Sequence, residues 1–164
     1  MATTFAATVK VSIDGQYIKT DDLGAARQTL GVAIADVFAS GVGNLQADLY
    51  AEVQRTVTNP TTDTIDLTST LTDIYGVTFN VATLKGLIVH HTGTVGNLTL
   101  SGTALANAGM LGASGQNIVK PGGWWAQLAP NEGYTITNGT QDLIDVDSSV
   151  GAIVYDIHLI GTSS

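Results

Sequence analysis

The residues of this chain with the most chemical potential are few and lie late in the sequence. They are Trp124 and Trp125 in "KPGGWWAQLAP", His90 and His91, His158, and the acidic cluster Asp142, Asp145 and Asp147. Adjacent side chains on a strand point to opposite faces, so His90 and His91 cannot both ligate one ion; a metal site would need one of them with His158 and a carboxylate. Asp145 and Asp147 share a strand face, but their spacing supplies neither the turn glycine nor the closing Glu of a calcium loop, so a solvated strand edge is expected. Ser114 in "LGASGQ" lacks the second glycine of a nucleophile elbow, since Gln116 stands in its place, and reads as a loop serine. The Gly-rich stretch "GASGQNIVKPGG" does not end as a phosphate-binding loop does. No catalytic set, metal site or cofactor is expected, and the chain reads as a non-enzyme.

The tryptophans remain. In a strand running through "GGWWAQLA", Trp124 shares a face with Ala126 and Leu128, and Trp125 with Gln127. The expectation is that Trp124 fills a core while Trp125, Gln127 and the nearby Tyr134 form an outward binding or interface surface. A large amphipathic ring there suits a subunit contact, with a carbohydrate platform as the alternative.

The elements that must position these groups read as strands. With 164 residues, 44% of them hydrophobic and only 12% charged, the chain is long enough to bury one continuous core, and residues 1–164 are expected to form a single domain. Val9, Val11 and Ile13 alternate with Lys10, Ser12 and Asp14, and Asp14-Gly15 carries a tight-turn signal, so a hairpin is expected there. "LGAARQTLGVAIADVFA" fits a helix stripe and a strand equally, although Gly24 and Gly31 weaken the helix. "LYAEVQRTV" alternates as a strand, and "TNPTTD" breaks the chain near residues 58–63. Beyond it, short strands recur about every ten residues. The fold expected is all-β: an antiparallel β-sandwich, jelly-roll-like, with at most one short helix. Residues 1–10 are a candidate N-terminal arm.

The formal net charge of −8 and six scattered cations argue against a nucleic-acid partner and against anionic membranes. There is no cysteine, hence no disulfide or thiolate chemistry, and neither a leader-like start nor a membrane-length apolar run is evident, so a soluble protein made in the cytoplasm is expected.

The order of pieces carries a further signal: Gln46 to Asp48, Arg55-Thr56, "DLTSTLTDIYG" at Asp66 to Gly76, "LKGLIVHHTG" at Leu84 to Gly93, and "NLTLSG" at Asn97 to Gly102. A Pro-Gly-Gly strand at Pro121 to Leu128, "GYTITNGTQDLIDV" at Gly133 to Val146 and "VYDIHLIGTS" at Val154 to Ser163 complete it. Over about residues 44 to 163 the chain resembles a family of small tailed-bacteriophage virion proteins. The resemblance implies a non-enzymatic structural component, a capsid decoration or cement protein located in the virion. Its partners would be the major capsid protein or other virion proteins, and it would form a homo-oligomer, with a trimer preferred. The alternative is a tail-fibre or spike module that binds host-surface carbohydrate.

Overall fold

The computed structural model describes residues 4–21, 24–73, 75–112 and 115–163. The chain forms an all-β, sandwich-like fold with a long hairpin preceding it. In chain order the strands are β1 (Ala7–Asp21), β2 (Gly24–Ser40), β3 (Gln46–Ala47), β4 (Leu49–Thr58), β5 (Asp63–Asp66), β6 (Thr83–His91) and β7 (Leu98–Ser101). After one short helix, α1 (Thr103–Asn107), come β8 (Asn117–Val119), β9 (Trp124–Leu128), β10 (Tyr134–Thr135), β11 (Leu143–Ser148) and β12 (Ala152–Thr162).

Two sheets build the body. One runs β10-β6-β12-β4, with β9 also pairing β6; the other runs β5-β11-β7-β8. Alternation decides which side chains meet between them. From the first sheet Ala51, Val57, Leu87, Val89, Ile153, Tyr155, Ile157 and Leu159 point inward. From the second come Ile65, Leu98, Leu100, Val119, Ile144 and Val146, and all of these belong to one buried cluster. Leu67, Leu71 and Phe79, from the segment between β5 and β6, close one end of that cluster. The helix adds Ala104 and Leu105. Gly102, just before it, sits at φ 108°, where a Cβ would strike the Leu143 carbonyl oxygen, so only glycine lets the turn approach β11 so closely.

A polar cluster is built into the sandwich. Arg55 on β4 donates twice to Asp63 on β5, Nε at 2.7 Å and Nη2 at 2.5 Å, and the Tyr155 hydroxyl donates to the same carboxylate at 2.7 Å. The Arg55 bond holds the Asp63 carboxyl below its ordinary value of 3.8 against the opposing effect of burial, and Tyr155 adds to the lowering. Burial and the bond to Asp63 push the Tyr155 phenol up. The cluster thus satisfies the one hydroxyl on the largest fully buried side chain and ties the two sheets together at β4 and β5.

The first 40 residues differ from expectation in an instructive way. Asp14-Gly15 is not a turn: both lie inside β1, opposite Gly31 and Leu30, and the hairpin reverses only between Asp21 and Gly24. The ambiguous stretch after it is strand, not helix. Of the candidate arm at residues 1–10, residues 1–3 lie outside the described residues, and Phe5 and Val9 pack against Phe38, Ala47 and Ile160 at the base of the hairpin. The element that stands free is the hairpin beyond that base.

The ion pair makes stability pH-dependent. At pH 7, Asp63→Asn is expected to lower the unfolding free energy by about 2 kcal/mol, as for hydrogen bonds to a charged group. Because the folded carboxyl titrates below its unfolded value, this contribution is complete above about pH 4 and is lost as pH falls through the folded value. Urea titrations of both proteins across that range should show the difference shrinking with acid; a constant difference would place its origin elsewhere.

Candidate functional site

The register of the five-stranded sheet brings the chemically interesting residues onto its outward face. Pairing of β4, β12, β6 and β9 aligns Gln54, Asp156, His90 and Trp124 in one row across four strands. The next row holds Glu52, His158, Ile88 and Ala126, and the one after it Tyr50, Ile160, Gly86 and Leu128. The half of this face on β4 and β12 is largely polar, and the half on β6 and β9 is mostly apolar.

Trp124 is 64% exposed and stacks on His90, with ring centroids 4.1 Å apart and planes 17° from parallel. His90 Nδ1 lies 3.8 Å from Asp156, whose other oxygen accepts a hydrogen bond from Gln54 at 2.9 Å. In the adjoining row the Tyr50 hydroxyl donates to Glu52 at 2.8 Å and sits 3.2 Å from His158 Nδ1. Burial, and then the Glu52 carboxylate, push the Tyr50 phenol up to about 12, so at neutral pH it is a fixed donor and not a nucleophile. A cleft of about 470 Å³ opens where the base of β1 crosses this face, lined by Phe5, Val9, Tyr50, Ile88 and Trp124 among others.

The two tryptophans are divided between the faces, but with the roles opposite to those expected. Trp124 is the outward ring, and Trp125 packs against the core between the sheets. The reason is the register with β6: Trp125 pairs with Val89, which is fully buried, and Trp124 with His90, which faces outward. Gln127 follows Trp125 inward and is half-buried; its side-chain amide donates to the Tyr134 hydroxyl. Trp125, Gln127 and Tyr134 are thus brought together, on the inner side of the sheet edge and not on the outward face.

The histidines separate as strand geometry requires. His91 is buried, and its Nδ1 accepts the Gly93 amide hydrogen at 3.0 Å. His90 and His158 share the outward face, yet no group of three or more metal-ligating side chains forms among the described residues. The aspartates are not a solvated edge. Asp142 is buried and accepts the Gly139 amide hydrogen, and Asp145 and Asp147 accept hydrogen bonds from Thr64 and Thr62. Ser114 lies outside the described residues. No helix among the described residues is long and apolar enough to cross a membrane.

The larger feature that sequence reasoning missed is the length of the hairpin and its exposed apolar face. Val11, Ile13, Val32 and Ile34 lie on one face of it, paired Val11 with Ile34 and Ile13 with Val32, and are 56%, 61%, 55% and 63% exposed. The opposite face carries Lys10, Ser12, Asp14 and Gln16 beside Ala35, Ala33, Gly31 and Thr29. The period-2 signal was present in both segments, in Val9, Val11 and Ile13 and again in Val32, Ile34 and Phe38, with Asp36 interrupting the second series. Compared with models of known families, with curated proteins and with solved structures, the chain has no match in any of the three.

The corrected orientation sets an asymmetric test. Trp125→Ala is expected to cost about 2–4 kcal/mol in urea unfolding, while Trp124→Ala changes stability by less than about 1 kcal/mol. Equal losses would contradict the register of β9 on β6.

Proposed function

We propose that the chain is a non-enzymatic structural protein of a bacteriophage particle, a decoration or cement protein that binds and stabilises the head. The observation that carries this reading is the hairpin arm with its bare apolar face. A two-stranded ribbon is at best marginally stable alone in water, and free strand edges invite pairing, so an arm of this length has its physical rationale in a partner that covers it. Such a face suits burial between subunits, and repeated copies on a lattice turn modest single contacts into avidity. The order of sequence pieces, which resembles that of small tailed-phage virion proteins, supports the same reading.

The test is co-sedimentation of purified protein with heads lacking it. Val11→Asp combined with Ile34→Asp is expected to leave circular dichroism and the melting temperature of the body near wild type, because both positions are exposed, and to weaken head association at least tenfold. Undiminished association, or the absence of the chain from a map of the intact particle, would overturn the reading.

A second reading rests on Trp124. An exposed indole stacked on His90, on the same sheet face as Asp156, Gln54 and Glu52, joins a stacking surface to hydrogen-bonding groups farther along the face, which suits a saccharide on a tail-fibre or spike module. Saturable binding on a glycan array that is lost in Trp124→Ala would favour it; an array without binding would remove it.

A further inference from the structure

We infer that the hairpin arm docks on a second copy of this chain, its apolar face seated on the outward face of the partner's five-stranded sheet over Ile88, Ala126 and Trp124, reciprocally across a two-fold axis. The inference rests on reading the arm as a binding element and names its first partner.

The chain itself shows that these two surfaces fit. At the base of the hairpin, Phe38 and Val9, on the same face as Val11, Ile13, Val32 and Ile34, already pack with Ile160 and Tyr50 of the outward sheet face. Ile88, Ala126 and Trp124 lie in the rows that directly continue Ile160 and Tyr50. The contact made within one molecule therefore leaves the rest of both surfaces uncovered. Asp36, on the arm's apolar face, stands beside Val9 at the base, so Val11, Ile13, Val32 and Ile34 beyond it form an unbroken apolar patch.

Charge selects the arm over a second body as the occupant. Residues 1–40 hold three cations and four acids, a net of −1, against three cations and ten acids, a net of −7, for residues 41–164. The sheet face contributes Glu52 and Asp156, with no Lys or Arg among its outward residues. Two bodies repel one another, whereas an arm of net −1, with Lys10 and Arg27 on its other face, meets the acidic face with less repulsion.

Area selects reciprocal exchange. From Lys10 to Asp21 the arm is about 40 Å long and about 10 Å wide at 3.3 Å per residue and 4.8 Å between strands, giving a face of about 400 Å². One arm on one body buries about 800 Å² over both surfaces, short of the roughly 1,200 Å² of a stable interface. Exchange across a two-fold axis doubles this to about 1,600 Å².

The absence of cysteine makes a clean test possible. Ile13→Cys and Ala126→Cys, both at exposed positions, are prepared separately, unfolded and refolded together, and oxidised. A disulfide-linked pair is expected in the mixture and not in either variant alone, and light scattering should give the dimer mass at micromolar concentration, reduced to monomer by Ile34→Asp. A monomer at 100 μM, a trimer, or crosslinking of Ile13→Cys with itself that mixing does not change would each overturn the inference. All of this uses purified protein. A monomer that still binds heads fails this inference and leaves the particle reading intact; a dimer that binds no head does the reverse.

Discussion

The fold depends on one strand finding its place. β12 lies between β4 and β6, and its inward residues Ile153, Tyr155, Ile157 and Leu159 are all essentially buried against the second sheet. Without it, β4 and β6 would each present an open edge, and no continuous hydrophobic surface would span the sandwich. The same strand carries Asp156, His158 and Ile160 outward, so the chemistry of the exposed face is set by whichever residues alternate with the buried ones. Core and candidate site are two sides of a single pairing.

That pairing explains what could and could not be read beforehand. The strand segments were legible because period-2 alternation is local: β4, β11 and β12 all follow it. The division of His90 from His91, and of Trp124 from Trp125, was legible for the same reason. Which member of each pair faces the core was not, because orientation comes from the partner strand. β6 is buried continuously from Leu84 to Leu87 and so gives no alternation of its own there, and small Ala126 looked more core-like than Gln127. In fact Gln127 turns inward with Trp125 by the register of β9 on β6, and there its amide donates to the Tyr134 hydroxyl. Rows such as Gln54, Asp156, His90 and Trp124 join segments up to about a hundred residues apart, and no local pattern encodes their register.

The hairpin misled in the opposite sense. Asp14-Gly15 has the composition of a turn, but the odd-numbered positions before it, Val9, Val11 and Ile13, keep their face straight through to the end of β1, which a two-residue turn would have interrupted. Cross-strand pairing over fifteen residues outweighed a dipeptide preference. The reward is a ribbon whose face continues the packing begun by Phe38 and Val9, and this joins the arm mechanically to the sheet beneath it.

The distances in sequence over which these contacts form differ greatly. The pairings in the hairpin join residues 3 to 31 positions apart, and all of them lie within the first 40 residues. The body closes only when β12, at the far end, inserts between strands made much earlier. Contacts close in sequence form faster than distant ones, so the arm's pairings are the first that can form while the body is still being synthesised. For that interval the stickiest surface of the molecule exists before the acidic surface that keeps copies apart. On polysomes, where nascent chains crowd together, neighbouring arms would meet first, and the lysines and arginine within the arm, with its four aspartates, are the only charges then available to hold them off.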